Sequence, residues 1–380
     1  MTKIIIALIV QLLLLTGNTR IDDPVRSLFR TDFDPVKIAE IKKVLINFND
    51  TIPNDSLTIY FDPTNYPVAF SRDIHTAVCM DSLCRLVDIT LFWEPTGKYL
   101  GFSLPPGQEL TKKKHAPFTE KDYNRLNEIL SDSTSQLGYY TPAEIHPPKP
   151  ANLKTDGISG ATIPDLEPWI VPEAAYTSYT LWHLTYGSTS DSIVAFTKKH
   201  YISNIMLYRL LESKDAFSQM KGLQWIDHQT NPSFSQFIDP VLKILHNGKF
   251  NASGLALKFL INCNLGEEKM QKEVIQLLDN EDFRIKNSAI EYYKHSEKLY
   301  PSVAKEMIKK TQSENYYLVN VILSLIEKKY QPDFEDQMQL GTLLNSKSGS
   351  VANRVYIFLL NLPAKSPGLA KQLGRFKNNK

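Results

Sequence analysis

Five 17-residue stretches in the second half of the chain line up without gaps. They are LLESKDAFSQMKGLQWI from residue 210, ILHNGKFNASGLALKFL from 244, LLDNEDFRIKNSAIEYY from 277, KTQSENYYLVNVILSLI from 310 and LLNSKSGSVANRVYIFL from 343. Their starts lie 34, 33, 33 and 33 residues apart. Each stretch closes one apolar run in a short polar turn and opens the next with small and aliphatic residues. A unit of this length holds two helices, and one such pair cannot bury its own apolar face. Neighbouring pairs must therefore pack side by side. Residues 188–365 are predicted all-helical, and 366–380 read as a basic polar tail.

The blocks carry neither an ankyrin TPLH nor a tetratricopeptide Trp/Gly/Tyr pattern. By period and helix pairing they resemble HEAT-type repeats, shorter than usual. That resemblance implies an α-solenoid offering an extended surface to partners. No paired carboxylates, His pair or Gly-rich loop in this region suggests catalysis. Asp227–His228 reads as a surface pair and Cys263 as a buried core residue.

The first half has a different texture and is predicted α+β. Asp34 and Pro35 read as an N-cap and N1 proline, with Ile38, Ile41, Val44, Leu45 and Phe48 on one helical face. SLTIYF (56–61) reads as a strand. Ile74, Thr76 and Val78 alternate, a turn follows, and Val87, Ile89, Leu91 and Trp93 alternate back, which is a hairpin. Cys79 and Cys84 flank its turn at a spacing that lets opposite strands bridge, so a structural disulfide is expected; zinc ligation with His75 or His115 is the alternative. A further strand is expected within 94–102. Thr119 caps a helix through a box with Asp122, burying Tyr123, Leu126, Ile129 and Leu130. Lys112–Lys114 read as a solvated basic run. A proline-rich loop (139–153) leads to KTDGISGATIPDL, after which Pro164, Pro168 and Pro172 forbid helix until Glu173. A helix then runs from Pro172 to Gly187. The domain reading is 19–67 as a helix and strand region of the first domain and 68–187 as its main body.

MTKIIIALIVQLLLLTGNTR opens the chain. One Lys precedes an apolar run, Ile4–Leu15, of secretory h-region length, so 1–18 read as a signal peptide with cleavage near Gly17–Thr19. An uncleaved anchor is the alternative. Both put the rest outside the cytoplasm, in a periplasm or secreted. A formal net charge of +2 with scattered basic residues suggests no nucleic-acid surface.

Asp156, Ser159, Gly160, Ala161 and Thr162 fit the order Asp-x-x-(Ser/Thr)-Gly-Ala-Thr. Read plainly, Asp156–Gly157 and Ser159–Gly160 are turn dipeptides. The order also resembles the flavinylation motif of the FMN-binding domain family, which includes extracytoplasmic subunits of redox-driven ion pumps and other electron-transfer chains. The resemblance implies that a flavin transferase moves the FMN part of FAD onto Thr162 as a phosphoester. Asp156 and Ser159 would present the hydroxyl, and Gly160 and Ala161 would leave room around it. Base and Mg²⁺ would come from the transferase. In that family a helix follows the motif directly, whereas here IPDLEPWIVP intervenes. The ring would need an apolar wall, for which Trp93, Tyr99, Phe102, Trp169, Tyr176, Tyr179 and Trp182 are candidates beside their plain role as core.

Three functions follow. The first is an exported FMN carrier with a membrane complex as redox partner, which would make it a carrier and not a substrate-transforming enzyme. The second is an exported scaffold without flavin. The third is a hydrolase using Ser159 or Thr162, disfavoured because GISGA lacks the glycine spacing of a nucleophile elbow.

Overall fold

The computed structural model describes residues 26–31, 36–52, 54–78, 86–112, 115–145, 164–226, 234–262 and 267–378. They divide into two compact units with the boundary between Met206 and Leu207. The first is mixed α+β and the second is all-helical. The N-terminal apolar run, Asp34–Pro35, Lys113–Lys114, Asp227–His228 and all three cysteines lie outside the described residues.

Six strands form one sheet: β1 (Arg26–Phe29), β2 (Glu40–Leu45), β3 (Ser56–Phe61), β4 (Pro67–Ala77), β5 (Leu86–Trp93) and β6 (Tyr99–Leu104). Their order is β1-β6-β5-β4-β3-β2, with every neighbouring pair antiparallel. The predicted hairpin is the β4–β5 pair, with Ile74 opposite Ile89 and Ala77 opposite Leu86. The β5–β6 turn needs Gly97, whose φ is +78° and whose missing Cβ leaves room for Ser190 and Val194.

One face of the sheet carries the main core, with Leu57, Ile59, Phe70, Ile74, Leu91, Trp93 and Phe102 all buried. The capped helix α1 (Glu120–Ser131) packs there through Tyr123, Leu126, Ile129 and Leu130, as predicted. Its box is complete: Thr119 N–H donates to Asp122 Oδ2 at 2.8 Å, and Asp122 N–H donates back to Thr119 Oγ1 at 3.3 Å. Lys112 is not solvated as expected, because its Nζ pairs with that same Asp122 at 2.9 Å. The opposite face holds a small cluster of Ala69, Phe92 and Leu100 beside Phe29 and Tyr60.

Two local expectations are corrected. Residues expected on a helix after Pro35 form β2 instead. Ile41 and Leu45 are 42% and 83% exposed, so the helical spacing of apolar residues does not mark a buried face. Backbone pairing with β3, helped by β-branched Ile and Val, decides the conformation. Within the proline-rich loop Pro142–Ile145 make one helical turn, α2, and in the stretch after the motif Pro164–Trp169 make a 3-10 turn. The φ that proline fixes suits a 3-10 turn, so the prolines permit what they were expected to forbid.

Arg72, fully buried on β4, holds this unit together. Its five N–H groups are all used. Nε donates to Asn54 O (2.9 Å), Nη1 to Asp50 Oδ2 (2.6 Å) and Thr189 Oγ1 (2.7 Å), and Nη2 to Asp50 Oδ1 (3.0 Å) and Ile52 O (3.3 Å). Phe48 lies 3.7 Å beneath the guanidinium. Thr189 belongs to α4 (Ser188–His200), which follows α3 (Ala175–Tyr186).

In the second unit α5 (Asn204–Leu211), which contains the unit boundary, is followed by α6 (Ala216–Trp225), α7 (Ile238–Asn247), α8 (Phe250–Asn262), α9 (Glu267–Ile275), α10 (Phe283–His295), α11 (Pro301–Lys310), α12 (Tyr316–Lys329), α13 (Phe334–Gly341), α14 (Gly349–Leu360) and α15 (Pro367–Asn378). Two rows interleave: α6, α8, α10, α12 and α14 pack in succession, and so do α9, α11, α13 and α15. The expected basic tail is therefore mostly the helix α15, which buries Leu369 and Leu373. The sixth residue of each 17-residue block precedes a helix of the first row. Asp215, Asp282, Asn315 and Ser348 cap there with side-chain oxygens, and Lys249 stands in the one block without such a cap.

Asp50→Ala should strand the Arg72 charge and lower stability by about 3 kcal/mol, read by urea denaturation with tryptophan fluorescence. Burial alone would raise the Asp50 pKa, but bonds from Arg72, the Ile52 amide and Ser188 outweigh it and hold the carboxyl below 3.8. A depressed carboxylate stabilises above its unfolded pKa, so the wild-type advantage over Asp50→Ala should persist at neutral pH and fade as pH drops below 3.8.

Candidate functional site

Residues Asp156, Ser159, Gly160, Ala161 and Thr162 lie outside the described residues, as do Cys79 and Cys84. What the structure does give is the framework from which both segments depart, and that framework is α3. Val78, the last described residue before the cysteine turn, is buried, and its carbonyl accepts from Thr177 Oγ1 on α3 at 3.2 Å. On the motif side, α2 packs on α3, and its last residue, Ile145, is fully buried. The chain is next described at Pro164, with Leu166 fully buried two residues on. The 3-10 turn Pro164–Trp169 packs against the 3-10 turn Gln136–Tyr139, and Arg125 Nη2 donates to Pro168 O. Val171 N–H then donates to Ser178 Oγ at 3.0 Å, tying the run to α3.

The seven aromatic candidates separate by burial. Trp93, Tyr99 and Phe102 are fully buried core. Trp93 Nε1 donates to Thr185 O at 2.8 Å and Tyr99 OH to Asn127 Oδ1 at 2.8 Å, so both polar ends are satisfied inside. Trp182 packs over Gly138, where a Cβ would sit 2.9 Å from the ring, and donates to Asp132 O at 2.8 Å. Tyr176 and Trp169 remain half-buried. Tyr176 stacks with Tyr179 at 6.4 Å between ring centroids and 27° between planes.

Sequence reasoning missed His183. It lies one turn beyond Tyr179, with the two rings 4.2 Å apart, and edge-on to Trp182 at 5.1 Å. Its Nε2 sits 3.1 Å from Leu137 O; a carbonyl can only accept, so Nε2 carries the proton. Trp182, on Asp132 O, and Tyr186 OH, on Leu130 O at 2.6 Å, meet carbonyls at the end of α1, while His183 meets one in the following 3-10 turn Gln136–Tyr139. The period of the helix puts Tyr176, Tyr179, His183 and Tyr186 on one face, a signal visible in the sequence.

Chemically, α3 offers a partly open aromatic face and a neutral imidazole. Among the described residues there is no group of three or more His, Cys, Asp or Glu able to hold a metal ion. No helix among them is long and apolar enough to cross a membrane. No protein-family model, curated protein or solved structure matches the chain.

Burial lowers the His183 pKa below 6.5, partly offset by its bond to the Leu137 carbonyl. A histidine depressed in the folded state stabilises above its unfolded pKa and loses that contribution as pH falls. Its imidazole resonances should titrate below 6.5 in an NMR pH series, and His183→Phe should reduce the acid sensitivity of the first unit's melting temperature.

Proposed function

We propose that the protein is an exported flavoprotein carrying FMN, phosphoester-linked to Thr162, in extracytoplasmic electron transfer. One observation carries the reading: the order of Asp156, Ser159, Gly160, Ala161 and Thr162, whose chance occurrence in a chain of this length is on the order of one in a thousand. An FAD-dependent flavin transferase would install the group, and a membrane complex would be the redox partner. When bound, FMN would supply one- and two-electron redox chemistry.

The described residues suit such a group. Tyr176 and Trp169 are half-buried near the framework from which the motif segment departs, and Tyr179 backs Tyr176. These rings would stack on the isoalloxazine, exclude water from one of its faces and orient it. Buried Ile145 and Leu166 would fix the bases of the presented segment, so that a transferase meets a hydroxyl on a firm support. The first unit would then be an FMN-binding-like domain and the second a HEAT-like solenoid. The apolar run at residues 4–15 would serve as a signal peptide or an anchor.

A second reading, an exported scaffold without flavin, draws on the second unit. Phe283, Tyr316 and Tyr317 open α10 and α12 and are 58%, 49% and 45% exposed, a surface suited to a protein partner.

Co-expression with a flavin transferase, followed by intact-mass measurement and in-gel fluorescence, tests both. The first reading expects the added mass of one FMN, a fluorescent denatured band, and loss of both in Thr162→Val. A bare polypeptide mass in the wild type, or unchanged fluorescence in Thr162→Val, would overturn it.

A further inference from the structure

β2 ends the sheet on its side, and among the described residues no strand pairs with its outer edge. Residues 46 and 55 stand opposite each other, and Ile46 N–H donates to Asp55 O at 2.9 Å. Antiparallel alternation then turns the backbone of Val44 and Lys42 toward β3, and that of Lys43 and Leu45 away from the sheet. The outward row is open to solvent, and its apolar side chains are uncovered: Ile41 is 42% exposed and Leu45 is 83% exposed.

The surroundings are basic. Lys37, Lys42 and Lys43 are exposed on or just before the strand. Lys198 and Lys199, also exposed, close α4. Tyr201, just past that helix, packs on Phe61 at 5.7 Å, and Lys42 Nζ sits 4.8 Å over the same ring, which brings the two basic groups together. Of the nearby acids, Glu40 is paired with Lys42 at 3.1 Å, and Asp55 stands exposed opposite Ile46.

We propose that the outer edge of β2 takes an extended acidic segment of a partner protein as an added antiparallel or parallel strand. Main-chain bonds to Lys43 and Leu45 would give the pairing, and the lysines would select carboxylates. A second copy of this chain is the poorer occupant. Antiparallel pairing of this edge with itself must set outward residues opposite outward residues, so Lys43 faces Lys43 of the other copy while Ile41 faces Leu45, and like charges in that position repel. The proposal stands whether or not Thr162 carries FMN.

A random ten-residue peptide library displayed on phage, panned against the full chain, tests this. Lys43→Pro removes one outward N–H at a position where edge strands tolerate proline. Lys42→Glu/Lys43→Glu reverses the local charge. Enriched peptides should be acidic with alternating apolar residues, and should bind the wild type at least about tenfold more tightly than either variant. If Lys43→Pro melts early, the charge variant alone decides. Enrichment of neutral or basic peptides, equal binding to wild type and variants, or no enrichment over an empty support would overturn the proposal.

Discussion

A guanidinium with no exposed side-chain surface can exist in a small α+β unit only if every N–H is met, and Arg72 sets that condition for the first unit. Its acceptors come from Asp50, Ile52 and Asn54 on one side and from Thr189 on the other. The segment between β2 and β3 is therefore fixed against β4, and the start of α4 is fixed against both. Asp50 serves twice, because it also accepts from Ser188 Oγ at 2.9 Å at the first residue of α4. Gly187 provides no side-chain cap there, so the carboxylate supplies the negative charge that a helix N-terminus favours. With Phe48 held under the guanidinium, the preceding residues lie alongside β3, and a strand is the conformation that pairs there.

The second unit replaces a single centre with a repeated one. Gln271 and Gln337 stand 66 residues apart, twice the block period, and make the same clamp. Nε2 of Gln271 donates to Lys298 O at 2.8 Å while its Oε1 accepts from Tyr300 N–H at 3.2 Å. Gln337 does the same with Ala364 O and Ser366 N–H, both at 3.0 Å. Each clamp joins a helix of one row to the turn before the next helix of that row. Between these two positions stands Ala304, fully buried, so the repeat keeps either a satisfied amide or a small apolar residue at this site. Lys329 adds a cross-tie, donating to Tyr293 O and Lys294 O at 2.7 and 2.8 Å near the end of α10. Burial lowers its pKa, a cost that these carbonyls partly offset.

Legibility in the sequence follows from the range of the forces involved. The helix rows, their caps and the core of α1 were readable because capping and periodic burial are local and recur. Position six of the block is a cap in four cases because the same turn is built four times. The β4–β5 hairpin was readable from alternation for the same reason. β1 was not, because RSLF carries no periodic signal and its strand character comes from pairing with β6, 78 residues away by the register of Arg26 with Leu104. β2 was misread because an exposed edge strand with Ile, Val and Leu mimics an amphipathic helix. The role of Arg72 was invisible, since a lone Arg in a strand gives no hint that Asp50 and Thr189 will meet it. At the candidate site, the aromatic face of α3 was legible as spacing, whereas the three carbonyls met by Trp182, His183 and Tyr186 depend on where α1 ends in space.

The donors on α3 bear on what a bulky group placed against this helix would meet. A surface used for a bulky ring must keep its shape when the ring arrives, and side chains free to rotate would oppose binding with lost entropy. Trp182, His183 and Tyr186 are each fixed by a bond to a backbone carbonyl, and Tyr179 lies against His183. Core packing alone accounts for that order. Tyr176 and Trp169 differ, since both are only half-buried. If they serve as a wall, the rigid row behind them makes the wall firm. If they do not, their exposure should be dispensable, and paired replacement by smaller residues should leave the fold intact. The distinction between a flavin site and a plain helix face therefore rests on these two rings and on Thr162, and not on the fully buried aromatics Trp93, Tyr99 and Phe102.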